Sequence, residues 1–225
     1  MSAIYDLQDQ PATTIENTPV KFPAVPYSNA ATYVEAYAEE FGRSWQAMDF
    51  TALDCAAEIL LDAYVRRAGV FSCGNGGSAS IANHLQCDHV KGVRNKTDLT
   101  PRVVSLSNNV EILTAIANDI SYEDIFSYQL QSQSMPGDVL IAISSSGRSA
   151  NIVRALTWAR DNGLRTIALT GFDGGAARTL AEVAVHFPGS NYGIIEDLHQ
   201  AVMHAMAQFL RQSRMTPAAI SESVF

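Results

Sequence analysis

Five short apolar runs, at residues 70–73, 102–106, 139–144, 165–170 and 183–187, alternate along this chain with stretches of helical periodicity. Nothing else in the sequence restricts its fold as much. The helical stretches lie at 78–90, at 110–117 with 122–134, at 149–162 and near 176–180, and a long one follows at 195–211. Strand and helix in strict alternation predict an α/β fold, a five-stranded parallel sheet with helices on both faces. Two further stretches, 30–41 and 51–67, repeat apolar residues at helical spacing and place two helices ahead of the sheet. Ligands of such sheets bind at the carboxyl ends of the strands.

Two of those ends carry glycine- and serine-rich loops. Val70-Phe71-Ser72-Cys73 runs into Gly74-Asn75-Gly76-Gly77-Ser78, and Val139-Leu140-Ile141-Ala142-Ile143 into Ser144-Ser145-Ser146-Gly147-Arg148-Ser149. A strand that enters a helix through such a loop gathers backbone N–H groups and hydroxyls at the helix N-terminus. That arrangement favours an anion, usually a phosphate. Neither loop ends in Gly-Lys-Ser/Thr, which argues against a triphosphate. The relaxed dinucleotide fingerprint Gly74-x-Gly76-x-x-Ala79 is present, but the next strand ends in Ser105-Leu106-Ser107-Asn108-Asn109, without the carboxylate that would hold a ribose. A small phosphorylated, polyhydroxylated ligand fits the two loops better than a nucleotide. Four hydroxyls in six residues, on Ser144, Ser145, Ser146 and Ser149, exceed what capping one helix needs. The segment Thr170-Gly171-Phe172-Asp173-Gly174-Gly175 reads as a turn.

A chain of 225 residues has room for one domain with a sizeable core and a long extension. The expected division is a polar, proline-bearing arm over 1–27, N-terminal helices over 28–67, the sheet domain with its final helix over 68–213, and a tail over 214–225. A net charge of −8 argues against a nucleic-acid partner. No apolar run approaches the roughly 18 residues that span a bilayer, and the first residues lack the basic and apolar regions of a signal peptide. Cys55, Cys73 and Cys87 form neither a metal-type pair nor an even disulfide set, so reduced thiols and a cytoplasmic setting are expected.

His84 and Asp88 lie four apart on the helix that opens at Ser78, a spacing that stacks them on one face. Alone, such a pair reads first as a solvated face with a local hydrogen bond, then as half of a divalent-metal site or an acid–base pair. On the final helix Glu196, Gln200 and His204 follow a four-residue stripe, with Glu196 and His204 a rise of roughly 12 Å apart. By spacing alone His204 is a packed histidine. His89 and His186 read as structural. Lys91, Arg94 and Lys96 read as a solvated basic loop, or as an attractor for an anionic substrate.

Gly74-Asn75-Gly76-Gly77-Ser78, Ala115-Ile116-Ala117-Asn118-Asp119, Ile143-Ser144-Ser145-Ser146-Gly147-Arg148-Ser149-Ala150-Asn151 and Leu169-Thr170-Gly171-Phe172-Asp173-Gly174-Gly175 together resemble the sugar isomerase (SIS) domain, and within it the phosphoheptose isomerase family. The resemblance runs in order and spacing from about residue 30 to 211. It implies a flavodoxin-like sheet, a homotetramer with sites at subunit interfaces, and an aldose–ketose isomerase acting on sedoheptulose 7-phosphate. It also implies one zinc or other divalent ion per chain. Carried over by position, the ligands fall on His84, Asp88, Glu196 and His204. The catalytic roles fall on Asp88 as base and His204 as its acid–base partner, with Glu196 as the substitute base. Substrate-binding roles fall on Asn75, Gly76, Gly77, Ser78, Asn108, Asn109, Ser144, Ser145, Ser146 and Ser149. The match is imperfect. Asp88 stands where the family has glutamate, Glu196 where it has glutamine, and Asn109 and Gly193 where it has aspartates near the sugar. A relative of this fold is a non-catalytic tetramer that promotes replication-initiator assembly, and an isomerase of another sugar phosphate is a further reading. The retention of both His84 and His204 favours an enzyme.

Overall fold

The computed structural model describes residues 21–224, so most of the arm expected over 1–27 lies outside the described residues. Strands β1 (Gly69–Gly74), β2 (Arg102–Ser105), β3 (Val139–Ser144), β4 (Arg165–Thr170) and β5 (Val183–His186) form one sheet in the order β2-β1-β3-β4-β5. Every neighbouring pair is parallel. Both β1 and β3 are buried along their whole length, because their side chains alternate between two apolar layers. Val70, Ile141 and Ile143 enter one layer, while Phe71, Cys73, Leu140 and Ala142 enter the other. This alternation explains why both strands read as continuous apolar runs.

The first layer is covered by α1 (Ala30–Gln46), α2 (Phe50–Arg66), α3 (Gly77–Cys87) and α8 (Tyr192–Gln212). The second is covered by α4 (Val110–Asp119), α5 (Ser127–Gln133), α6 (Ala150–Asp161) and α7 (Gly175–Leu180). Caps set several boundaries. The Asn29 side chain accepts from Thr32 N at 3.0 Å, that of Asn109 from Ile112 N at 2.9 Å, and that of Asn191 from Ile194 N at 3.1 Å. Each satisfies an N–H that has no partner within its helix. Among the described residues, no helix is long and apolar enough to cross a membrane.

Two segments depart from the sequence reading. The helix expected over 78–90 ends at Cys87 and widens into a π-helical turn, Asp88–Val93. The wider turn accompanies the burial of both His89 and Val93, with the His89 ring against the Tyr64 hydroxyl. The tail expected over 214–225 contains a short helix, α9 (Pro217–Ser221), capped by Thr216, whose hydroxyl accepts from Ala219 N at 3.2 Å. Proline at its start, where the N–H is dispensable, is the signal that a search for long apolar periodicity passes over.

The apolar residues of the flanking helices are largely covered within the single chain. Ile59, Leu60, Tyr64, Val202, Met206 and Leu210 are buried within the single chain, and Tyr33, Tyr37 and Phe41 pack partly against the same layer. On α8, Phe209 is half exposed. One sheet face accommodates this much helix surface because α8 is itself sandwiched between the sheet and the N-terminal helices.

Burial places His199 of α8 beside Phe187 and pushes its pKa from 6.5 down to about 4, with His186 adding to that effect and the Thr170 backbone opposing it. The unfolded chain then binds this proton more readily than the folded one below pH 6.5. Stability is expected to decline as pH falls from about 6.5 to 4, by on the order of 3 kcal/mol from this group. Thermal melts across that window should show a shallower decline for His199→Leu than for the wild type.

Candidate active site

The strand order reverses its winding direction between β1 and β3: from β1 the chain moves outward to β2, and from β3 it moves the other way through β4 to β5. The crossovers leave on opposite sides there and open a crevice at the strands' carboxyl ends, where ligands of such sheets bind. Gly74 ends β1 opposite Ile143, and Ser144 ends β3. The two predicted loops therefore flank the crevice.

A cavity of about 150 Å³ in this crevice is lined by Asn75, Ser78, Ser144, Ser145, Ser146 and Ser149, with Tyr192 and Glu196 of α8 closing it. Gly147 N donates to Ser144 Oγ at 3.1 Å and Arg148 N to Ser146 Oγ at 3.3 Å. Ser145 Oγ is buried without a partner among the described residues. A buried hydroxyl in that state is costly, which fits a group that a ligand engages. The Arg148 guanidinium turns to Asp173, so it adds no charge to the cavity.

The second loop is held from behind by the loop after β4. Gly171 N donates to Ser145 O at 2.9 Å, and Ala177 N to Gly147 O at 3.0 Å. Across the cavity Asn75 and Asn151 exchange two amide hydrogen bonds of 2.9 Å, and the Tyr122 hydroxyl donates to Asn75 Oδ1 at 3.1 Å. Asn151 and Tyr122 were not singled out from the sequence, since neither belongs to a Gly/Ser loop. Asn108 and Asn109 do not line the cavity. Asn108 Nδ2 donates to Gln86 Oε1 at 3.1 Å, and Asn109 is consumed by its helix cap.

Further along α8 lies a second group. His84, Asp88 and His204 bring one ligand-type atom each to within 4.8 Å of one another. His204 Nδ1 is 2.6 Å from Asp88 Oδ2, and His84 Nε2 is 3.4 Å from Asp88 Oδ1. The Asp88 carboxylate can only accept, so it favours the Nδ1–H tautomer on His204. Gln200 Nε2 stands 2.7 Å from His204 Nε2 and 3.3 Å from His84 Nδ1, where the two remaining imidazole nitrogens converge. Two imidazoles and a carboxylate at this separation make a donor set that suits a divalent cation. Gln200 was legible only as part of a stripe.

Glu196 does not join this group. It lies two turns before His204, roughly 12 Å along the helix axis, and its carboxylate packs on Gly77 at the start of α3. A Cβ at Gly77 would fall 2.2 Å from Glu196 Oε2. Burial, and then the neighbouring Asp197 charge, raise the Glu196 pKa above the ordinary carboxylate range. His89 and His186 are structural: each is pushed down to about 4, chiefly by burial. On the far side of the cluster, Lys91 and Arg211 line a cavity of about 470 Å³ with Asp88 and His204.

A family model for the SIS domain matches residues 33–171. The chain belongs to the SIS domain family. It is 36% identical over 160 residues to the phosphoheptose isomerase of Akkermansia muciniphila, covering 71% of this chain and 84% of that one. To the phosphoheptose isomerase of a Nitratiruptor species it is 34% identical over 173 residues, covering 77% and 91% respectively. Among solved structures, the phosphoheptose isomerase GmhA from Neisseria gonorrhoeae matches with a TM-score of 0.74 at 30% identity, over 81% of this chain and 98% of that one. In this SIS domain the phosphate-type loops follow β1 and β3, as the sequence pattern predicts.

Gly147 holds the serine loop in a left-handed conformation, φ +62°, and a Cβ there would lie 1.9 Å from Gly174 O. Gly147→Ala is expected to destabilise the protein by at least about 1–2 kcal/mol. Its urea midpoint should drop, and phosphate-ester binding should weaken with it.

Proposed function

We propose that this chain interconverts sedoheptulose 7-phosphate and an aldoheptose 7-phosphate, with the phosphate in the serine cavity and the reacting carbons near His84, Asp88 and His204. The chain is an enzyme of the aldose–ketose isomerase type, as its relatives are. The observation that carries the substrate class is the unpartnered Ser145 hydroxyl amid three further serines at the β1/β3 crevice. Hydroxyls and helix N-terminal N–H groups are the donors a phosphate ester needs. Held there, the ester places the rest of the sugar by remote binding energy.

Isomerisation takes a proton from the carbon bearing the hydroxyl and returns one to the adjacent carbonyl carbon, while a second proton passes between their oxygens. Asp88 is the base for the carbon-bound proton. His204 donates Nδ1–H to it and presents Nε2 towards Gln200, a placement from which a sugar oxygen can be protonated and deprotonated. His84, Asp88 and His204 would hold a zinc-like ion, which when bound polarises the two substrate oxygens. Phosphosugar turnover of this kind belongs in the cytoplasm.

Turnover of sedoheptulose 7-phosphate should be seen in zinc-supplemented buffer, with solvent deuterium entering the carbon next to the carbonyl. Asp88→Asn should lower kcat by at least about a hundredfold, the usual worth of a general base, and Ser146→Ala should mainly raise KM. His84→Ala should lose bound metal by elemental analysis at unchanged folding. Tight phosphosugar binding with neither exchange nor turnover would instead indicate a phosphosugar sensor.

The same reading makes the protein a homotetramer with its sites near subunit contacts. Val110, Ile112, Ile120 and Tyr122 are exposed around α4, and Tyr122 touches the Asn75 loop, so self-association there would cover apolar surface beside the site. Light scattering should give a mass close to four chains. Mixing dissociated Ser146→Ala and His204→Ala proteins should restore partial activity, and a fully active monomer would refute the assembly.

A further inference from the structure

Asn151, the second residue of α6, is buried and does not line the serine cavity, yet it governs a residue that does. An asparagine amide offers two N–H donors and two oxygen lone pairs, and its two ends are told apart by their partners. For Asn151 the partner is unambiguous. Ile152 N, a backbone donor that also reaches Ser149 O at 3.0 Å, donates to Asn151 Oδ1 at 2.9 Å. The amide oxygen must sit there, since Nδ2 in its place would set donor against donor. Asn151 Oδ1 also accepts from Asn75 Nδ2, and Asn151 Nδ2 donates to Asn75 Oδ1, each at 2.9 Å. One backbone N–H thus fixes the amide of Asn151 and, through it, the amide of Asn75.

Little of Asn75 is then left for a ligand. One Nδ2 hydrogen goes to Asn151 Oδ1, and the two Oδ1 lone pairs go to Asn151 Nδ2 and to the Tyr122 hydroxyl, which donates at 3.1 Å. Among the described residues no further partner engages this side chain, so a single Nδ2 hydrogen remains, on a residue that lines the serine cavity. A freely turning amide would present its oxygen there as readily, and an oxygen repels an anion. Resting on the proposed phosphosugar reading, we propose that Asn151 is a positioning residue: through the paired amides it holds Asn75 with an N–H free, a donor matched to the oxygens of a phosphate ester. The serine hydroxyls around the cavity can turn to donate or to accept, whereas the locked amide can only donate. A donor fixed before the ligand arrives loses no freedom on binding, so its contribution to affinity is not offset by ordering.

The test compares the full-length wild type with Asn151→Leu, a side chain of similar size that deletes both amide bonds and leaves Asn75 free to turn. Glycerol 3-phosphate is the probe in ligand-observed NMR titrations, and sedoheptulose 7-phosphate the substrate in steady-state kinetics. Affinity for the probe should fall at least about fivefold in Asn151→Leu, within the ordinary worth of one hydrogen bond. KM should rise by a similar factor while kcat stays within about twofold, because the acid–base group lies apart from the paired amides. A kcat that falls in step with the affinity would mark Asn151 as a structural residue and overturn the proposal. An unchanged affinity also overturns it and leaves the phosphosugar reading standing. Should the wild type bind neither glycerol 3-phosphate nor sedoheptulose 7-phosphate, the reading falls and the proposal with it. Neutron diffraction from wild-type crystals soaked in inorganic phosphate decides the matter even if Asn151→Leu does not fold. Asn75 should then show one Nδ2 deuteron on Asn151 Oδ1 and the other towards the phosphate, and an Asn75 Oδ1 turned into the cavity refutes the assignment.

Discussion

The reversal of winding between β1 and β3 is the constraint on which the rest of the structure depends. Two parallel strands buried on both faces can be extended into a sheet only by crossovers. Here those crossovers diverge in opposite directions at one point, and the backbone cannot close the gap they leave. Both loops that border the gap enter helices, so N–H groups without helical partners point into it from two sides. The polar cavity is thus a consequence of topology before any side chain is chosen. The serines of the β3 loop adapt it to an oxygen-rich ligand.

Helix α8 supplies what the sheet cannot. It packs on the first face of the sheet and contributes Tyr192 and Glu196 to the serine cavity, then Gln200 and His204 to the cluster with His84 and Asp88. One rigid element therefore fixes the separation between the anion seat and the acid–base group at two helical turns. The π-helical turn that begins at Asp88 serves the same end from the other side. It allows His89 to be buried against Tyr64 while the adjacent Asp88 meets His204. Widened turns of this kind recur at functional sites because they change the facing of single residues without ending the helix.

Legibility in the sequence followed the range of the physics. β3 and β4 were readable to the residue, because burial on both faces of the sheet demands consecutive apolar residues at the strand centre, Val139–Ile143 and Ile167–Leu169. The two loops were readable for the same local reason. The resemblance to the SIS domain carried the pairing of His84 and Asp88 with His204, which lies 116 residues beyond Asp88 and which spacing alone left as a packed histidine. Glu196, which the resemblance assigns to the ion, lines the serine cavity one and two turns ahead of Gln200 and His204. Helix α9 and the π-helical turn escaped, since neither has the length for periodicity to register.

The sequence by itself determined the parallel α/β class, the strand and helix order and the two anion-favouring loops. Each of these depends on residues within one turn or one strand of each other. Which loops face one another, which of Asn75, Asn108 and Asn109 reaches the cavity, and where Glu196 and Gln200 stand were decided only by the tertiary structure. These outcomes depend on how α8 lies across the sheet, and that position is set by apolar contacts with α1, α2 and α3 summed over the whole first layer. No local pattern encodes such a sum. The same packing buries the apolar faces of α2 and α8 within one chain.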